Sequence, residues 1–158
     1  MEIKRYPGVR RAEYEVEGGP ADRRARSTAF GPLFRHISSR DIAMTSPVEM
    51  DFSEEELSST MSFLYESVDD GPAGEDNNGV RVVDVEPQAV LSLGVRGSLD
   101  REGLRSAIRK LEGWISSQSA WDSTGSYRWV GYNGPYIRPA DQWIEVQVML
   151  EPRAEASP

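Results

Sequence analysis

The sequence predicts an α+β fold in which two β-β-α-β-β units share one sheet and pack their helices on its outside. Three observations carry that expectation. The same order of elements runs twice along the chain. The apolar residues between positions 104 and 115 have helical spacing. The final apolar segment alternates with the period of two that a strand with two distinct faces requires.

In the first half, a short strand near Ile3–Tyr6 meets Pro7-Gly8, and a second runs about Val9–Val16. Gly18-Gly19-Pro20 breaks the chain before a helical region ending near Ile37. Phe30, Leu33, Phe34 and Ile37 make its apolar stripe, and Gly31-Pro32 is expected to kink or restart the helix, because Pro32 has no backbone N–H to donate. Strands are expected at about Ile42–Met50 and Thr60–Tyr65. The Asp-, Gly- and Asn-rich stretch 69–79 reads as a mobile loop.

The second half repeats the order. Strands fall at Val80–Val85 and Ala89–Val95, separated by Glu86-Pro87, and Gly97 precedes a helix from about Asp100 to Ser117. Leu104, Ala107, Ile108, Leu111 and Ile115 form one stripe, which Asp100 or Ser98 is placed to cap. Strands Tyr127–Tyr132 and Trp143–Leu150 complete the unit. The chain thus reads as a single domain over 1–150, with half-repeats at about 1–68 and 79–150, and a disordered tail over 151–158.

In the last strand Ile144, Val146, Val148 and Leu150 point one way, suited to helix packing. Trp143, Glu145, Gln147 and Met149 point the other. Met61, Phe63 and Tyr65 share a face, as do Met44, Ser46, Val48 and Met50. Faces rich in large, adaptable side chains serve equally as core or as the lining of a cavity for a flat apolar ligand.

Composition removes several function classes. The 158 residues are 38% hydrophobic, enough for one packed interior, and carry a net charge of -8. An acidic chain is a poor binder of nucleic acid or anionic membranes. Without cysteine there is no disulfide, thiolate nucleophile or thiolate-held metal, and a single histidine excludes a multi-histidine metal site. Neither a secretory signal nor a membrane-spanning run is legible, so a cytoplasmic location is expected. Charge is uneven: residues 1–40 hold nine bases against five acids, whereas 51–86 hold eleven acids against Arg81 alone, which reads as two solvated faces of opposite sign. Phosphate-binding glycine loops, nucleophile elbows and carboxylate–histidine metal spacings are all missing.

Two candidates remain. His36, on the shoulder of the first helix, is the one nitrogen ligand the chain offers an iron. Glu145, if ringed by Trp143, Trp129, Tyr127 and Tyr65, would attract a planar cation through charge and ring quadrupoles. Buried and unpaired, its carboxyl would titrate high, which also suits a general acid with Tyr127 or Tyr132 as partner.

Several segments resemble one family. Ile42-Ala43-Met44-Thr45-Ser46-Pro47-Val48 is similar to the IAMT-(A/S)-PV signature of the SOUL/p22 haem-binding proteins. Glu2-Ile3-Lys4-Arg5-Tyr6-Pro7 resembles that family's opening, and Phe30–Ile37 its first helix, with His36 where the family usually has Tyr. Thr60-Met61-Ser62-Phe63, Gly131-Tyr132-Asn133-Gly134-Pro135 and Trp143-Ile144-Glu145-Val146 resemble its later elements in order. The resemblance implies a twisted, mostly antiparallel β-barrel of about eight or nine strands flanked by two helices, an architecture similar to the effector-binding domains related to gyrase-inhibitor proteins. It also implies a non-enzymatic protein that binds haem or a related tetrapyrrole reversibly, as monomer or weak dimer. Met44, Met50, Met61, Phe63, Tyr65, Tyr127, Trp129 and Trp143 are then candidate contacts, His36 a candidate axial ligand, and Lys4, Arg35 and Arg40 candidate partners for the propionates. The alternative is an effector-binding module that uses Glu145 for a planar cation, and a third reading is a small-molecule hydrolase in the same pocket.

Overall fold

Helix α2 (Arg101–Ser116) forms where the apolar spacing places it. The Asp100 side chain accepts a hydrogen bond from the Gly103 N–H, and all five stripe residues are buried. Helix α1 (Arg23–Ser39) is capped by Asp22 and runs unbroken through Pro32, contrary to the expected kink or restart. Its contact with the sheet supplies what the missing proline N–H takes away. Ala25, Ala29, Leu33 and Ile37 are buried, and the two alanines let the helix lie close. This stripe is rotated from the expected one: Phe34 is half exposed, and His36 is buried rather than on the shoulder.

The computed structural model describes residues 1–154 apart from Glu56 and Pro135. Among these, nine strands form one antiparallel sheet: β1 (Glu2–Tyr6), β2 (Val9–Glu17), β3 (Val48–Phe52), β4 (Ser58–Leu64), β5 (Gly74–Glu75), β6 (Arg81–Val85), β7 (Gln88–Arg96), β8 (Trp121–Gly131) and β9 (Trp143–Pro152). Their order is β1-β7-β9-β8-β3-β4-β2-β6-β5. Each half donates its first strand to the other half's sheet, β1 onto β7 and β6 onto β2, and β3 pairs with β8 at the centre. The fold is the expected α+β one, but the twisted sheet has free edges at β1 and β5, so it curls like a barrel without closing.

Three segments differ from expectation. Residues 42–47 are not strand. Pro47 has no N–H for a ladder, and Thr45 Oγ1 and Ser46 Oγ donate instead to the carbonyls of Leu64 and Tyr132, at 2.6 and 3.1 Å. Met44 and Ser46 therefore do not share a strand face with Met50. The acidic stretch 69–79 is tied down: Arg10 donates to the carbonyls of Val68 and Gly71, and Asp76 accepts from the N–H groups of Asn78 and Val80. Strand β8 starts earlier than its composition suggests, because Trp121–Ser123 pair with the end of β9. The backbone N–H of Arg153 donates to the Ala120 carbonyl, so the expected tail is ordered at its start, and residues 155–158 lie outside the described residues.

One face of the sheet carries both helices over two apolar clusters, one under α1 and one under α2. The opposite face is lined by polar side chains that are buried although no helix covers them: Arg11, Glu13, Glu49, Ser62, Ser92, Arg128 and Gln147. The curl of the sheet covers these, as Gln88 on β7 shows by accepting from Arg128 two strands away on β8.

Candidate functional site

The two faces create two chemically different sites. On the helix face, the first two turns of α1 present Arg23, Arg26 and Phe30 at i, i+3 and i+7 along one wall of a groove of about 660 Å³. Val48, Met61, Trp129 and Ile144, from four adjacent strands, form its floor. Leu99, Asn133, Ile137, Pro139 and Gln142 form the other wall. The Trp129 ring lies where a side chain at 131 would stand, so Gly131 is required for the floor to form. Residues 41–47, through the Ser46 bond to the Tyr132 carbonyl, hold the start of the far wall.

Arg26 is the unusual group here. It is half buried, its guanidinium lies 5.7 Å from the Trp129 ring centroid, and it donates to the Pro20 carbonyl. Among the described residues it has no carboxylate within salt-bridge distance, and none lines the groove. Burial draws it below the ordinary arginine range. Asp22 acts on it only through space, and a cation held partly out of water without a bonded counter-ion is costly unless an anion arrives. Apolar floor, aromatic ring and unpaired cation together suit a flat, anionic ligand.

The opposite face holds Glu145, which is saturated. Its carboxylate accepts from Lys4 Nζ at 2.6 Å, Ser92 Oγ at 2.6 Å, Tyr132 OH at 2.9 Å and Gln147 Nε2 at 2.9 Å. Burial opposes ionisation, but these four donors outweigh it and hold the carboxyl down at about 2. The high-titrating acid expected of an unpaired Glu145 is therefore not formed, and the aromatic ring expected around it is dispersed. Because the folded value lies below the unfolded one, this group stabilises the fold fully above its ordinary range and loses that contribution as pH falls toward 2. Urea midpoints measured across that window should fall less steeply in Glu145→Gln than in wild type.

Beside Glu145, Arg11 and Arg128 are woven among Glu13, Glu49 and Asp51. Arg11 reaches all three acids at 2.7–3.2 Å, and Arg128 Nε donates to Asp51 at 2.6 Å. Burial raises the Glu49 carboxyl despite its arginines.

Of the residues singled out from sequence, Met61 and Trp129 line the groove. Phe63 and Met50 lie in the core beside it, with the Phe63 ring edge-on to Phe30 at 5.2 Å. Tyr127 is buried under α2 and donates to Glu112. Trp143 is exposed with Arg96 stacked on it, and Met44 is exposed in its loop. Lys4 is spent on Glu145, Arg35 is exposed, and Arg40 donates to the His36 carbonyl. Both His36 nitrogens are engaged, Nδ1 with Asp76 at 2.8 Å and Nε2 with Tyr65 at 3.1 Å, so the imidazole presents no free nitrogen to an iron. Among the described residues, no group of three or more His, Asp or Glu side chains could hold a metal ion.

The sequence reading missed Arg23 and Arg26. A signal existed: α1 opens with three arginines and no acid in its first turn, against the preference of a helix N-terminus for negative charge. Such a local conflict marks a position kept for something other than helix stability.

A family model described as SOUL heme-binding protein matches residues 1–149. No curated protein matches the chain by sequence. Among solved structures, the C-terminal domain of EcmrR is similar with a TM-score of 0.73 at 14% identity, covering 95% of this chain and 96% of that one. A hydrolase from Listeria innocua is similar at 0.65 and 10% identity, covering 95% and 92%. SAV2435 bound to tetraphenylphosphonium is similar at 0.50 and 7%, covering 95% and 93%. At such identities these likenesses concern the fold alone.

Proposed function

The chain belongs to the SOUL heme-binding protein family, and from that premise we propose that it is a non-enzymatic carrier of haem or a related tetrapyrrole in the groove beside α1. The observation that carries this reading is Arg26, half buried over Trp129 in an apolar groove with no carboxylate partner among the described residues. Trp129, Met61 and Phe30 would hold the macrocycle by apolar contact, and Arg26 and Arg23 would supply the charge for its carboxylates. The groove volume falls within the usual range for sites of this size. Met61 is the one soft donor in the lining, so binding rests on ring faces and carboxylates rather than on a strong axial bond. Charge opposes the alternative of a planar cation held by Glu145, since that carboxylate is already satisfied and the groove is arginine-lined. With its acidic surface and no helix long and apolar enough to cross a membrane among the described residues, we read the protein as a cytoplasmic carrier.

Haemin titrated into the protein should give a saturating one-to-one shift of the Soret band. The shift should persist in His36→Gln, and tetraphenylphosphonium should not compete. Absence of a saturable shift, or its loss in His36→Gln with the fold intact, would overturn this reading. Competition by the phosphonium would transfer the site to the cation-binding alternative.

A further inference from the structure

The His36 array has a chemistry of its own. Asp76 Oδ1 accepts the backbone N–H groups of Asn78 and Val80, and Oδ2 meets His36 Nδ1 at 2.8 Å. Burial opposes the charge on Asp76, but these bonds outweigh it and hold the carboxyl below its usual range. An ionised carboxylate only accepts, so His36 Nδ1 carries a proton. In the neutral imidazole Nε2 is therefore an acceptor, and the hydroxyl 3.1 Å away, that of Tyr65, donates to it. Tyr65 and His36 are both about 95% buried. Neither residue lines the groove beside α1, so the pair is separate from the site described above. A buried phenol bonded to an imidazole acceptor can give up an electron without touching the oxidant, because its proton needs to move only along that hydrogen bond.

We propose that Tyr65 is a redox-active tyrosine, with His36 as its built-in proton acceptor and Asp76 as the counter-charge. When a one-electron oxidant takes an electron from Tyr65, its O–H bond breaks and an N–H bond forms at His36 Nε2. The products are a neutral phenoxyl radical, an imidazolium paired with Asp76 and the reduced oxidant. Burial pushes the Tyr65 phenol up, so the proton leaves through His36 rather than as a prior loss to water. Arg10, Arg40 and Asp70 face the same phenol from β2, the end of α1 and the 3-10 turn, and the imidazolium forms among these charges. Tyr65 immediately follows the last residue of β4 and is four residues beyond Met61 on the groove floor, a span of about 13 Å if extended. The oxidant must be a one-electron acceptor of high potential: resting on the carrier reading, a tetrapyrrole oxidised on its ring and bound in the groove would qualify, whereas ferric haem, a far weaker oxidant than a phenoxyl radical, would not.

The test uses the haem-free protein at pH 8 with hexachloroiridate(IV), reduced to iridate(III), so that it stands apart from haem binding. Freeze-quenched samples are read by electron paramagnetic resonance. The expected result is a tyrosyl radical that forms more slowly in D₂O and is absent in Tyr65→Phe. In His36→Phe it should form about tenfold or more slowly. Circular dichroism checks the fold of each variant, and Asp76→Asn, which keeps the shape of the array, should slow formation to an intermediate degree. The same radical yield in Tyr65→Phe, an unchanged rate in His36→Phe, or no solvent isotope effect in the wild type would each overturn the proposal.

Discussion

Arg26→Glu is expected to weaken haemin binding by about a hundredfold, close to 2.7 kcal/mol, while leaving the fold intact. Arg26 takes part in no salt bridge among the described residues, so its loss orphans no buried acid. What it loses is the cation–π contact with Trp129 at 5.7 Å and the bond to the Pro20 carbonyl, each a modest contribution on its own. What the glutamate adds is a negative charge where a propionate must sit, in a site partly shielded from water. Arg26→Met, which keeps the stem and removes the charge, should show a smaller loss of about tenfold. Haemin titrations followed at the Soret band measure both. Equal affinity in wild type and Arg26→Glu would remove the arginine from the site.

Arg128→Met should cost stability rather than binding, by about 3–5 kcal/mol. Arg128 is 3% exposed and shared by Asp51, Glu49 and Gln88 on the face away from the groove. Removing it leaves two acids of that face to share Arg11, which already serves Glu13. Because burial and the neighbouring Asp51 already raise the Glu49 carboxyl, the variant should recover part of its deficit in Arg128→Met/Glu49→Gln, where one uncompensated charge is gone. Urea unfolding of the single and double variants reads the effect. A midpoint unchanged by Arg128→Met would mean that the buried network adds nothing measurable to stability.

These two arginines mark the limits of what sequence patterning conveys. The helix α2 was legible because five apolar residues and an Asp cap all pointed to one answer, and β9 because it alternates over eight residues. The start of β3 was not, since residues 42–47 look apolar and extended while their hydroxyls bind carbonyls of other segments. Such partners lie 19 and 86 positions away and leave no local trace. The same reason hid the fate of Glu145: its alternation parity correctly set it on the face away from the helices, yet Lys4, which neutralises it, is 141 residues distant in sequence. His36 was placed wrongly because the helix stripe was read from its large residues, when the contact with the sheet is made through Ala25 and Ala29. Family motifs located the fold well and named residues on both faces; Phe30, Val48, Met61, Gly131, Asn133 and Ile144 from them meet in the groove, whereas Trp129 lies outside every motif.

The claim on which this account turns is that the ligand lies on the helix face. The most direct measurement is a ¹H–¹⁵N correlation spectrum of the protein titrated with a diamagnetic metalloprotoporphyrin. The expected result is selective perturbation of the Trp129 indole N–H and the backbone amides of Arg26, Phe30 and Ile137, with those of Lys4, Ser92 and Gln147 unmoved. Perturbations centred on Lys4, Ser92 and Gln147, with Trp129 and Arg26 silent, would contradict it.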